Sequence, residues 1–247
     1  MTLALLVCAA RAAEAGALSA RLGLPAQAYP DAGLKAALAA LPATGAALVL
    51  SPEGLGLVAL DLPGAAPVRI DAEGGALGFR LAQERARHEQ IVRACGLLKK
   101  PGLAVFDATA GLLRDAAVLA AAGARVTVAE RSPVIALLIE DALARAAPDG
   151  VLAGIRFLPG DARARLKAMA AGDERPDVVC LDPMFPHREK TALVKKEMQV
   201  FRHVVGEDAD ADDLLAPALA AARLRVVVKR PRLAPALAGR APTFTLE

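Results

Sequence analysis

Ala104-Val-Phe-Asp107-Ala-Thr-Ala-Gly111-Leu-Leu-Arg114-Asp115, followed after a helical stretch by Arg125-Val-Thr-Val-Ala-Glu130, decides how this chain folds. A β-branched run enters a turn of small residues, helical periodicity runs on to Gly123, and a second β-branched run begins. Three further runs keep the alternation going: Ile155-Arg-Phe-Leu158, Asp177-Val-Val-Cys-Leu-Asp182 and Arg225-Val-Val-Val-Lys229. Strands that alternate with helices predict βαβ units, a parallel sheet and hence an α/β fold. Four of these five runs end at or beside a charged residue, and ligands of such sheets bind outside the carboxyl ends of the strands. The functional site is therefore to be sought there.

The helices between these runs have legible ends. Gly123 stops the first, Ser132 with Pro133 opens the second, and Asp161 can cap a third that runs to Gly172. Farther on, Val194, Met198, Phe201 and Val205 form one apolar stripe, which leaves Lys195, Lys196, Gln199 and Arg202 facing solvent or a ligand. Before residue 78 the pattern changes. A strand over Thr2 to Val7 is expected, then a helix over Ala9 to Leu22 and another near Leu34 to Leu41. Ala46 to Leu50 and Leu55 to Leu60 flank Ser51-Pro-Glu-Gly54 and predict a hairpin. Glycine and proline cluster from Pro63 to Gly78, which places a small N-terminal α+β domain at 1–78 and a larger domain at 79–247, entered by a helix over Leu81 to Leu98.

With 247 residues, 55% hydrophobic and 23% charged, the chain falls outside the disordered, collagen-like and disulfide-framework classes. The longest uncharged stretch, Ala36 to Pro52, is alanine-rich and interrupted by Pro42 and Gly45, so no membrane span is expected. The N-terminus lacks the positive region of an export signal and reads as a buried first strand. Cys8, Cys95 and Cys180 have no metal-ligand spacing, and His88, His187 and His203 are scattered; reduced thiols in a cytoplasmic, metal-free protein are expected. Net charge is only +3, but its distribution is uneven. The segments 187–202 and 223–232 together carry +8, and the other 221 residues carry −5. Such a footprint suits a polyanion, although solvated helix faces would look the same.

Two places can carry chemistry. The turn from Asp107 to Gly111 lets backbone N–H groups approach a bound ligand closely, and Glu130 stands 19 residues after Gly111, where nucleotide-binding α/β domains place an acid against ribose hydroxyls. A solvated acid near a helix start is the plain alternative for Glu130. The second place is Leu181-Asp182-Pro183-Met184-Phe185-Pro186-His187. The Asp182 carboxylate and the Pro183 carbonyl can hold the protons of an exocyclic base amine, whose lone pair is otherwise delocalised into the ring. Phe185 can stack on the base, a contact worth about 1–3 kcal/mol. A proline-stiffened turn with Phe185 packed inside is the alternative. Arg188, Lys190, Lys195, Lys196, Lys229 and Arg230 are candidate phosphate contacts.

Asp107-Ala-Thr-Ala-Gly111, Arg114-Asp115, Glu130-Arg131-Ser-Pro133, Leu181-Asp-Pro-Met-Phe-Pro-His187, Ala192-Leu-Val-Lys-Lys-Glu-Met198 and Val226-Val-Val-Lys-Arg-Pro231 together resemble the bacterial small-subunit ribosomal RNA guanine-N2 methyltransferases of the RsmJ type. Ala47-Leu-Val-Leu-Ser-Pro-Glu53 and Gly74-Gly-Ala-Leu77 extend the likeness toward the N-terminus. The resemblance implies a class I, Rossmann-like methyltransferase domain, S-adenosylmethionine as donor, and a guanine of 16S ribosomal RNA or the small ribosomal subunit as acceptor. It implies that Arg114, Asp115, Glu130, Arg131 and Asp182 surround the donor, with Asp161 and Ala162 as a further contact; capping is an equal reading of Asp161. Leu113 stands where the family's pattern has glycine, and the chain ends at Thr243-Phe-Thr-Leu-Glu247 without an expected Arg-Phe-Asp-x-Tyr tail, so a terminal strand is expected to be missing. A methyltransferase acting on another nucleic-acid amine, in DNA or other RNA, and a noncatalytic RNA-binding or ribosome assembly factor are the alternatives.

Overall fold

The computed structural model describes residues 2–62, 64, 66–72, 75–81, 83–184 and 210–246. They fall into two compact units, one holding residues 2–70 with Pro133–Arg145, the other holding Asp71–Ser132, 146–184 and 210–246. The sequence places the boundary at residue 78; the change of unit comes at Ile70, and the contacts also assign a later helix to the first unit.

The first unit is a four-stranded sheet in the order β2-β1-β3-β4, from β1 (Leu3–Cys8), β2 (Ala26–Tyr29), β3 (Ala46–Ser51) and β4 (Gly54–Ala59). β1 pairs in parallel with β2 and β3, and β3 and β4 form the expected antiparallel hairpin. Gly54, at φ +105°, supplies the left-handed residue of its turn. Leu6, Cys8, Tyr29, Ala47, Val49 and Val58 bury one face against α2 (Leu34–Ala39). The expected helix over Ala9 to Leu22 begins as a 3-10 segment, Ala9–Glu14, and becomes α1 at Ala15–Leu22. The later helix of this unit, α7 (Pro133–Arg145), packs on β4, and its Asp141 carboxylate accepts the Leu55 N–H at 3.0 Å.

The second unit is a five-stranded, wholly parallel sheet in the order β7-β6-β5-β8-β9. Its strands are β5 (Ala104–Asp107), β6 (Arg125–Glu130), β7 (Arg156–Pro159), β8 (Val178–Leu181) and β9 (Arg225–Val228). Alternation along the strands sends Phe106, Val179 and Leu181 to one face, where they pack with Leu166 of α8 (Ala162–Ala171) and Ala218 of α9 (Leu215–Ala221). Cys180 points the other way, its Sγ 3.4 Å from that of Cys95. The approach to this sheet is not the single helix expected over Leu81 to Leu98. The described helical stretches α3 (Gly75–Leu81) and α4 (Gln83–His88) are set off from α5 (Gln90–Cys95) because Glu89 takes an extended backbone (ψ 140°), and Gly96 ends α5 in the left-handed region.

Strand order reverses between β5 and β8. The chain winds outward from β5 through β6 to β7 in one direction and returns to β8 and β9 in the other, which opens a crevice at the carboxyl ends of β5 and β8.

Candidate active site

The crevice is lined by carboxylates that the strands deliver. Asp107 is the last residue of β5 and only 4% exposed. Its Oδ1 accepts the Thr109 N–H at 3.0 Å, with the Thr109 hydroxyl at 3.4 Å. Burial is the main influence on this carboxyl and pushes it up to about 7; the Thr109 N–H and Lys229 pull it down, and Asp115 and Asp182 push it further up. Thr109 also reaches the neighbouring strand, since its Oγ1 accepts the Asp182 N–H at 2.7 Å. One hydroxyl thus ties the turn after β5 to the loop after β8. In the sequence only its place in an otherwise alanine-and-glycine turn marks Thr109 out.

The turn closes through Gly111 at φ +51° and Leu113 at φ +57°, and α6 (Arg114–Ala121) starts directly after it. Glu130, the last residue of β6 and 7% exposed, holds the turn in place: one carboxylate oxygen accepts the Gly111 N–H at 3.2 Å and the other the Ser132 N–H at 2.8 Å. Glu130 is therefore built into the sheet end rather than solvated. Arg114 and Asp115 are the first two residues of α6, and both are half-buried.

At the ends of β8 and β9 one lysine meets two acids. Lys229, grouped with the phosphate contacts by sequence, has its Nζ 2.8 Å from Asp115 Oδ2 and 2.9 Å from Asp182 Oδ2. Burial works to lower its pKa, but the two carboxylates outweigh this and hold the ammonium above its ordinary value. Burial raises the Asp182 carboxyl, Lys229 draws it back, and Asp115 pushes it up. Pro183 is buried and Arg230 half-buried. Arg223 and Arg225 precede or open β9, so the strand carries them to the opposite edge of the sheet from Lys229, where Arg225 Nη1 donates to the Ala94 carbonyl at 3.2 Å. What reads as one basic cluster is split by a strand. Phe185, Arg188, Lys190, Lys195 and Lys196 lie outside the described residues, as do His187 and the stripe of Val194, Met198, Phe201 and Val205.

At the β6 and β7 side, Asp161 is the N-cap of α8, its Oδ1 accepting the Arg163 N–H at 2.8 Å, and Ala162 is buried in the core. The Arg163 guanidinium bonds the Asp161 carboxylate and holds it below its usual range. Arg163 also reaches Asp210 at 2.9 Å and Asp213 at 3.4 Å, and Arg131 grips both oxygens of Asp210 at 2.8 and 2.9 Å. Of the two readings of Asp161, capping is visible, and the residue is also a member of this ion network. Among the described residues no group of histidines, cysteines and acids could hold a metal ion, and no helix is long and apolar enough to cross a membrane.

Comparison with known proteins adds the following. A family model described as a putative SAM-dependent methyltransferase matches residues 34–247. The ribosomal RNA small subunit methyltransferase J of Thioalkalivibrio sulfidiphilus is 48% identical over 205 residues, 81% of this chain and 79% of its own. That of Stutzerimonas stutzeri is 44% identical over 242 residues, 96% of this chain and 87% of its own. A solved SAM-dependent methyltransferase from Neisseria gonorrhoeae shares the fold at a TM-score of 0.66 and 30% identity, over 97% of this chain and 90% of that one.

Proposed function

Because this chain belongs to the family of ribosomal RNA small subunit methyltransferases J, we propose that it methylates the exocyclic N2 amine of a guanine in 16S ribosomal RNA, with S-adenosylmethionine as the donor. Its second unit has the class I, Rossmann-like fold of such enzymes. The observation that carries the reading is the pair of carboxylate-bearing loops at the carboxyl ends of β5 and β8, joined through Thr109 where strand order reverses. A DNA amine as acceptor, or a noncatalytic assembly role, finds no support among these relatives.

The residues present suit the donor. Asp107, Asp115, Glu130 and Asp182 give the crevice an acidic balance that favours a cationic ligand, and Gly111 keeps the backbone of the turn free of a side chain. We assign donor binding to Asp107, Gly111, Arg114, Asp115, Glu130, Arg131, Asp161, Ala162 and Asp182. Bound S-adenosylmethionine supplies a sulfonium methyl, which an amine lone pair takes while sulfur keeps the bonding electrons. The chain's part is to orient the acceptor. The Asp182 carboxylate and the Pro183 carbonyl accept the amine protons, which localises the lone pair; Phe185 stacks on the base; the proton released by the amine passes to solvent. Alignment of this kind supplies roughly 7–11 kcal/mol of barrier lowering without a metal. Arg188, Lys190, Lys195, Lys196 and Arg230 are the proposed phosphate contacts, and the protein would work beside ribosomal subunits in the cytoplasm.

The test is transfer of labelled methyl from S-adenosylmethionine to small subunits lacking the modification, with the labelled base mapped. Label on a guanine N2 is expected, and label elsewhere, or none, overturns the reading. Asp182→Ala should lose transfer by more than about 100-fold with its melting temperature retained, the scale expected when the group that handles the reacting proton is removed.

A further inference from the structure

The geometry points to Lys229 as a positioning residue for methyl transfer: its ammonium joins Asp115 to Asp182 and fixes the Asp182 carboxylate as the acceptor of the amine protons. This rests on the role given to Asp182 above, and it takes Lys229 out of the RNA-contacting set.

Three separate elements meet at this ammonium. Asp115 comes from the first turn of α6, Asp182 from the loop after β8, and Lys229 from the residue after β9. The Lys229 N–H donates to the Leu181 carbonyl at 2.9 Å, which continues the β8–β9 ladder by one residue and sets the lysine beside Asp182. The side chain is therefore aimed by the sheet and not by chance contact between flexible groups. Two of its three N–H bonds go to carboxylates at 2.8 and 2.9 Å. Withdrawing the ammonium toward a phosphate would leave Asp115 and Asp182 facing each other uncompensated, with Asp107 behind them; Asp182 and Lys229 are about half exposed and Asp115 half-buried, so water softens that repulsion without removing it.

The same contact does something useful for the acceptor. Lys229 engages Oδ2 of Asp182, and Thr109 accepts the Asp182 backbone N–H, so the residue is restrained at its backbone and at one carboxylate oxygen. An ionised carboxylate accepts an amine proton; a protonated one competes as a donor. Burial and Asp115 both favour protonation of Asp182, and Lys229 is the group that opposes them. Among the described residues, Arg80 and Glu89, paired with each other at 2.8 Å, also act on this set, Arg80 on Asp115 and Glu89 on Lys229.

The experiment uses the full chain carrying ¹³C-labelled aspartate carboxyls, with Asp182→Asn to assign the Asp182 signal, and compares Lys229→Met with Lys229→Arg. In the cofactor-free protein the Asp182 midpoint should rise by about 1–3 pH units in Lys229→Met and return toward wild type in Lys229→Arg. Lys229→Gln, which removes the charge but keeps a polar side chain of similar reach, should raise the midpoint likewise and replaces Lys229→Met if that variant does not fold. In the methyl-transfer assay Lys229→Met should lose about 100-fold in kcat, with its acidic limb moved to higher pH and KM for subunits nearly unchanged. An unmoved Asp182 midpoint, or a raised KM with kcat and pH profile unaltered, overturns the proposal and returns Lys229 to phosphate binding. A wild-type protein that transfers nothing to guanine would overturn the reading of the reaction instead, and the carboxyl titration would still decide whether Lys229 governs Asp182.

Discussion

At Leu113 backbone and side chain make opposite demands. The left-handed conformation at φ +57° costs a branched residue about 1–2 kcal/mol, yet the isobutyl group is 0% exposed and its burial returns about as much or more. The turn that feeds α6 needs a residue without a Cβ, and the core behind it wants a large apolar one. Leu113→Ala keeps the strain and loses the packing, so it should destabilise by about 2–5 kcal/mol in urea unfolding. Leu113→Gly loses the same packing but sheds the strain, and should be more stable than the alanine variant by about 1 kcal/mol. A glycine variant weaker than the alanine one would mean that the turn is not strained.

At the scale of elements, α8 offers the cleanest experiment because its cap and its ion pair use one side chain. Asp161→Ala should cost about 1 kcal/mol through loss of the Arg163 N–H acceptor, whereas Asp161→Asn keeps that acceptor and should stay close to wild type in thermal unfolding. Equal losses would assign the stabilisation to the pairing with Arg163, which at half-exposure is worth little. The cap was legible, as were all five strands of the second sheet, because β-branched runs bounded by glycine, proline and aspartate leave few readings. β2 was not, since Ala26-Gln-Ala-Tyr29 has little strand propensity of its own and exists through its pairing with β1. Nor was the break at Glu89, where apolar periodicity continues across a backbone that does not. In the site, the sequence named the carboxylates at the strand ends but not their partners. Lys229 meets Asp182 only because β8 and β9 are neighbours, and Arg225 parts from Lys229 only because a strand lies between them.

At the scale of the whole molecule, affinity for RNA should reside in the segment after β8 rather than in Lys229. Replacing Lys195 and Lys196 by glutamine should flatten the dependence of log affinity on log salt by about 1.4 on single-stranded RNA, two phosphate contacts' worth, with donor affinity retained. Lys229→Met should leave that slope as it is. An unchanged slope in the double glutamine variant would place the phosphate contacts elsewhere. The order of the chain has a consequence of its own. β4 ends at Ala59, but the helix that packs on it is complete only at Arg145, 86 residues later. At a synthesis rate of about 5–20 residues per second, the nascent hairpin waits roughly 4–17 s for its cover. Through that interval an apolar flank of the growing polypeptide is open to chaperones and to neighbouring nascent chains, and slowing translation between these two points should cost yield of native enzyme more than slowing it anywhere after them.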